Sequence, residues 1–235
     1  MKTSTTNSGL IWYGIAVLFV LGFSILPSRP SNDKWTHSFQ VLDSVTKVKD
    51  EKIKAKLIEE GGKEILSIYH EHPYHARIQM VVGYYYFLVG NMDSVIYHTT
   101  KSLEQGSGGV VNSMEQPAQE LLANATINKG FNLLAKGDTL AAFKLYASTA
   151  RFTPNNPTIN KNLGVFYLNQ NKPDAALFHY YLVLKNQQRD PEAMLGLARC
   201  YLKRGNIDSV RYYANQVLIS NPNNQDAQNF LNFTK

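Results

Sequence analysis

A single cysteine, Cys200, excludes an internal disulfide framework and a cysteine-based zinc site. Its place beside aromatic residues fits a packed apolar side chain. Charged residues make up only 18% of the chain, and no run of lysine or arginine occurs, so nucleic acid is not an expected partner. Signatures of catalysis are also missing. No serine sits in a nucleophile elbow. Gly61-Gly62-Lys63-Glu64 lacks the upstream glycine and the Ser or Thr of a phosphate-binding loop, and reads as a helix break. The one dense group of ligand-type side chains is His70-Glu71-His72-Pro73-Tyr74-His75. Histidines two apart point to different sides of a helix and Pro73 ends it, so this reads as a polar turn rather than a metal site. No enzyme activity, metal or cofactor is expected.

One stretch lacks charge altogether. From Leu10 to Leu26 every residue is uncharged, and with Gly9 and Pro27 the run fits the roughly 20 apolar residues that cross a bilayer. Trp12 and Tyr13 lie at one end, as interfacial aromatics do. The small residues a signal peptidase needs, Gly22 and Ser24, are deep inside the run, which favours an uncleaved anchor over a removed signal. Residues 1–8 are then a short tail, 9–27 a transmembrane helix and 28–32 a linker. Lys2 precedes the run while Arg29 and Lys34 follow it, so flanking charge leaves the orientation open. A short anchor with a basic start more often keeps its N-terminus in the cytoplasm. The expectation is a single-pass membrane protein whose remaining domain is extracytoplasmic.

What the chain has in abundance is periodicity. Pro157 and Pro191 stand 34 residues apart, and Pro154 and Pro222 two such periods apart. Gly130, Gly164 and Ala198 fall in one column at that period. Leu133, Tyr167 and Tyr201 fall in another, then Gly137, Asn171 and Gly205, then Ala142, Ala176 and Val210. Small residues allow two antiparallel helices to approach, and large ones fill the groove beside them. Gly137, Asn171 and Gly205 suit a left-handed residue that ends a helix. Gly90-Asn91-Met92-Asp93-Ser94-Val95 nearly repeats Gly205-Asn206-Ile207-Asp208-Ser209-Val210, three periods and 13 residues earlier. The surplus is a glycine-rich insertion at 105–114. Ser113-Met114-Glu115-Gln116 then reads as a capping box that restarts a helix running to about Lys136.

Over residues 123–224 this pattern resembles the tetratricopeptide repeat (TPR) family, which has small, aromatic and proline columns at this period. The tryptophan usual near the start of the first helix is replaced by Thr126, Asn160 and Met194. The resemblance implies an all-α fold, a right-handed TPR superhelix (α-solenoid). Its units are expected at 76–104, 115–156, 157–190 and 191–224. A degenerate helical cap precedes them at 33–75 and a capping helix follows at 225–235. Terminal units are atypical because one face meets water.

The resemblance also implies a function. Such stacks bind protein segments on the concave face lined by the first helix of each unit. Carried onto this chain, the groove residues are Arg77, Met80 and Tyr84, then Asn124, Ile127 and Phe131, then Lys161, Val165 and Asn169, then Arg199 and Lys203. Tyr84, Ile127, Phe131 and Val165 would form an apolar floor, and Lys161, Arg199 and Lys203 a cationic end. Residues 111–235 carry 13 Lys or Arg against 8 Asp or Glu, which also favours acidic partners. The expected ligand is a segment with apolar anchors and an acidic flank. Lys161 fits one position of the clamp with which some family members hold a terminal carboxylate. Val165 replaces the following asparagine and Arg199 is one turn off, so a chaperone-tail receptor is not expected. The leading reading is a membrane-anchored scaffold. Alternatives are a structural subunit of a larger membrane complex, or a secreted adaptor released by cleavage.

Overall fold

The computed structural model describes residues 34–106 and 112–234. The expected transmembrane helix at 9–27 lies outside the described residues. Among those described, no helix is long and apolar enough to cross a membrane. They form α-helices and one short 3-10 turn, with no strand. In chain order the helices are α1 (Lys34–Ser44), α2 (Glu51–Glu71), α3 (Ala76–Val89), α4 (Met92–Gly106), α5 (Asn112–Ala135), α6 (Thr139–Ala150), α7 (Pro157–Asn169), α8 (Pro173–Asn186), α9 (Pro191–Lys203), α10 (Ile207–Ser220) and α11 (Gln225–Phe233). The chain divides into two compact units, Met1–Asn128 and Lys129–Lys235, so α5 contributes to both.

The 34-residue period is written into the helix ends. Asn156, Asp190 and Asn224 cap α7, α9 and α11, each accepting from the backbone N–H three residues on. Such caps contribute about 1 kcal/mol apiece. Pro157 and Pro191 occupy the first turn, where a missing N–H costs nothing. At the other end of the first helices, Gly90, Gly137, Asn171 and Gly205 have φ of +82°, +79°, +57° and +71°. Each sits in the same motif. The N–H of the next residue donates to the carbonyl of Tyr86, Leu133, Tyr167 or Tyr201, at 2.9–3.0 Å. The large column therefore has a backbone role as well as a packing role.

Within the first unit, α1 and α2 pack on α3 and α4 around Phe39, Leu42, Ile65, Val81 and Val95. The break expected at Gly61-Gly62 does not occur, because α2 runs unbroken through both. Both glycines are buried, and their missing side chains make room for neighbours. A β-carbon on Gly61 would lie 2.8 Å from Leu42 Cγ, and one on Gly62 2.3 Å from the Tyr85 ring. Close approach, not chain reversal, explains the pair.

Within the second unit, Ala142, Ala176 and Val210 are fully buried, and Leu163, Leu197 and Cys200 pack in the layers between helices. Burial pushes the Cys200 thiol up to about 12, so it stays an unreactive packing group at neutral pH. On α11, Ala227 is buried against α10, but Asn232 stands where Ala198 stands one period earlier and is exposed. A polar residue in that column ends the stacking.

A further recurrent device was not foreseen from the sequence. In the first unit, Gln79 Nε2 donates to the Pro73 carbonyl, which turns its Oε1 to His98 Nδ1 at 2.7 Å. An amide oxygen only accepts, so His98 carries its proton on Nδ1. The imidazole stacks on Tyr86 with ring centres 5.4 Å apart. In the second unit, Asn160 Nδ2 donates to the Pro154 carbonyl at 2.8 Å, its Oδ1 meets His179 Nδ1 at 2.9 Å, and His179 stacks on Tyr167. Gln228 Nε2 likewise donates to the Pro222 carbonyl at 2.9 Å. At Gln79 and Asn160 the position that usually holds tryptophan thus holds an amide that ties the boundary proline to the second helix, and at Gln228 the amide holds the proline alone. Burial lowers the affinity of both histidines for a proton, that of His98 to about 4.

Candidate functional site

In the second unit, α7 and α9 are consecutive first helices, and a cleft of about 570 Å³ opens between them. Val165, Leu168 and Leu202 give it apolar walls, and Asn169, Arg199 and Lys203 give it polar ones. Four of the residues expected at a groove (Val165, Asn169, Arg199 and Lys203) are therefore brought together in one concavity. Val165 is 45% exposed. Phe131, also expected there, is 52% exposed on the last turns of α5. Asn124 and Ile127 lie on the same helix in the first unit, half-buried, and Arg77 is half-buried at the start of α3.

Two expected groove residues belong to the core instead. Tyr84 is 2% exposed, its ring centre 6.4 Å from that of Phe39, and burial raises its phenol well above the usual range. Met80 is 1% exposed. The reason is the helical cap at the start of the chain. In an ordinary first unit this face of α3 meets solvent, whereas here α1 and α2 cover it.

The cationic end is also less free than its composition suggests. Lys161 Nζ contacts Oδ2 of Asp190, the N-cap of α9, at 3.0 Å and Oε2 of Glu192, in the first turn of α9, at 2.5 Å. Burial alone would lower its proton affinity, but the bonds to Glu192 and Asp190 outweigh this and raise it. Arg199 pairs with Asp226 on α11 at 2.8 Å. These two cations link successive repeats. Among the described residues Lys203 has no acidic partner, and its ammonium meets Asn171 Oδ1 at 3.2 Å.

The floor of the cleft holds the residue that reading the columns missed. Tyr180 comes from α8, a second helix, and its ring passes between α7 and α9. A β-carbon on Gly164 would fall 2.6 Å from the ring and one on Gly196 2.4 Å from it. Gly164 was legible as a small column. Gly196 was not, because it lies off the repeat's small positions. Elsewhere, His70, His72 and His75 are exposed, and no three His, Cys, Asp or Glu side chains are grouped for a metal among the described residues.

Residues 170–232 match the tetratricopeptide repeat family. No protein of curated function matches the chain. Among solved structures, pilF of Pseudomonas aeruginosa is similar over 96% of this chain and 94% of its own, with a TM-score of 0.50 and 15% identity. MamA is similar over 79% of this chain and 90% of its own, with a TM-score of 0.48 and 14% identity. The first tetratricopeptide repeat domain of Spaghetti (RPAP3), solved with an HSP90 peptide, is similar over 48% of this chain and 89% of its own, with a TM-score of 0.45 and 20% identity. The likeness to pilF is one of fold. The stretch that matches the tetratricopeptide repeat family, residues 170–232, holds helices α8 to α11.

Proposed function

We propose that this chain is a membrane-anchored scaffold that holds a segment of another protein in the cleft between α7 and α9. The observation that carries the reading is the cleft itself: exposed Val165, apolar Leu168 and Leu202, and the ammonium of Lys203, which meets no carboxylate among the described residues, around one concavity. An exposed apolar side chain among polar groups is the usual make-up of a recognition surface. The charge-free run at 9–27 supports the anchor, and the basic residue before it supports an extracytoplasmic position for the repeats. Val165→Asp combined with Lys203→Glu is expected to abolish capture of crosslinked partners from intact cells while the circular dichroism spectrum is unchanged. Undiminished capture would place the binding surface elsewhere.

A second reading, a permanent subunit of a larger membrane complex, draws on a separate observation. Phe178 and Tyr212, one period apart on α8 and α10, are 62% and 57% exposed. Stoichiometric co-purification in mild detergent distinguishes a subunit from a transiently bound scaffold.

A further inference from the structure

Away from the cleft, the second helices of the second unit carry an ordered set of exposed side chains. Lys144, Phe178 and Tyr212 stand one period apart on α6, α8 and α10. Seven residues on, two turns further along the same side, stand Arg151, Lys185 and Ile219, the last 75% exposed. Tyr181 lies between Phe178 and Lys185. Its hydroxyl meets those of Tyr201 at 2.8 Å and Tyr213 at 3.0 Å, and Tyr213 packs edge-on against Tyr212. The aromatic side chains of α8 and α10 are thus joined into one patch and held in place in advance, which lowers the entropy cost of docking. An apolar patch with a polar rim marks an interaction surface. The charge around it is graded. Asp174 and Asp208 precede Phe178 and Tyr212 by one turn, and Arg204 holds Asp174 at 3.3 Å. Beyond the aromatic row α8 and α10 carry no acid, and Asp190, past the end of α8, is held by Lys161 at 3.0 Å. Lys144 and Lys185 meet no carboxylate among the described residues. Residues 129–235 carry 13 Lys or Arg against 6 Asp or Glu, so the unit is drawn to anionic surfaces.

We infer that this face is a second membrane contact: the C-terminal ends of α6, α8 and α10 rest on an anionic lipid surface. Tyr181 and Tyr212 sit at headgroup level, where rings with one polar end belong. Phe178 and Ile219 enter the acyl boundary, and Lys144 and Lys185 meet lipid phosphates. A lipid surface fits better than a protein one, because lysine is depleted in protein interfaces while each lysine strengthens the hold on anionic lipid. Asp174 and Asp208 are repelled by such a surface, so the helix N-termini tilt away from it. This rests on the membrane-anchored reading, which keeps the unit beside a bilayer, and gives the folded part its own hold on lipid.

The test places the full-length chain in nanodiscs of phosphatidylcholine alone, or with phosphatidylglycerol as about a quarter of the lipid. Some headgroups carry a gadolinium chelate, and isoleucine methyl groups are labelled for NMR. In anionic discs the Ile219 signal should be largely lost, while Ile207, about 18 Å away at the other end of α10, keeps most of its intensity. In neutral discs both signals should persist. Lys144→Gln combined with Lys185→Gln should lower the docked-to-free ratio by about fivefold for each lysine. Phe178→Ser combined with Tyr212→Ser should also restore the Ile219 signal. All four side chains are exposed, so the fold should be kept. Equal Ile219 losses in the two kinds of disc, or equal losses at Ile219 and Ile207, would overturn the charge-driven contact or its orientation. An undiminished Ile219 signal in discs that hold the chain would overturn the lipid contact and leave the anchor standing. A protein crosslinked at Phe178 would then assign the face to a protein partner. A chain that elutes apart from neutral discs would overturn the anchor, and Ile219 loss in anionic discs would still establish the face.

Discussion

The ring of Tyr180 occupies the space that a side chain on Gly196 would need, with 2.4 Å between the ring and the position of that side chain's first carbon. One second helix thereby reaches through to the opposite side of two first helices. Gly196→Ala should therefore destabilise the second unit despite alanine's better helix propensity. Overpacking a buried ring costs about 1–3 kcal/mol, against a gain of at most about 1 kcal/mol from the helix. Urea unfolding followed by tyrosine fluorescence would measure it, and a more stable variant would show that the ring can shift.

The left-handed positions give a prediction of opposite sign at two matched sites. Gly205→Ala should cost about 1–2 kcal/mol, because φ there is +71°. Asn171→Gly should be neutral or stabilising by a few tenths of a kcal/mol, because φ is +57° and glycine adopts it without strain. Chemical denaturation of the two variants side by side checks both.

Much of this architecture was legible beforehand because it depends on local geometry. Gly90, Gly137, Asn171 and Gly205 betrayed a left-handed turn that few other residues tolerate. A capping helix was expected at 225–235, and α11 spans Gln225–Phe233. What stayed hidden depends on partners distant in sequence. Gly61 and Gly62 look like a break until Leu42 and Tyr85 are seen against them. Lys161 and Arg199 look like free cations until Asp190 and Asp226 are seen beside them. Tyr84 looks like a groove residue until Phe39 covers it. The proline–amide–histidine relation was visible in principle, since Gln79 and His98 have the spacing of Asn160 and His179. It went unread because the units were drawn from Ala76 and Pro157, which leaves Pro73 and Pro154 outside the unit that holds each histidine.

That relation predicts a pH dependence. His98 binds its proton with a pKa of about 4 when folded, against an ordinary value of 6.5. Between these values the unfolded chain takes up more protons, so stability falls as pH falls through this window and levels off below it. The loss due to His98 is at most on the order of 3 kcal/mol. His179 acts in the same direction. Urea midpoints measured at pH 7 and pH 4.5 should separate more in the natural protein than in His98→Gln, which keeps an amide donor for Gln79 and removes the titration. Equal separations would assign acid sensitivity to other groups.

Asp190 and Glu192 contact the same lysine but should differ in importance. Asp190 also caps α9 through the Ala193 N–H at 2.7 Å, and its side chain is 10% exposed, whereas that of Glu192 is 73% exposed. Asp190→Ala should cost about 1–2 kcal/mol, and Glu192→Ala less than about 1 kcal/mol. Thermal or urea melts of the two variants rank them.

The most direct test of the cleft as a working surface is site-specific photo-crosslinking in living cells. A photoreactive residue is placed at Val165, inside the cleft, or at Phe178, exposed on α8. A discrete crosslinked protein from Val165, lost when Lys203→Glu is added, is the expected result. Crosslinks from Phe178 alone, or crosslinks from Val165 that persist with Lys203→Glu, would contradict it.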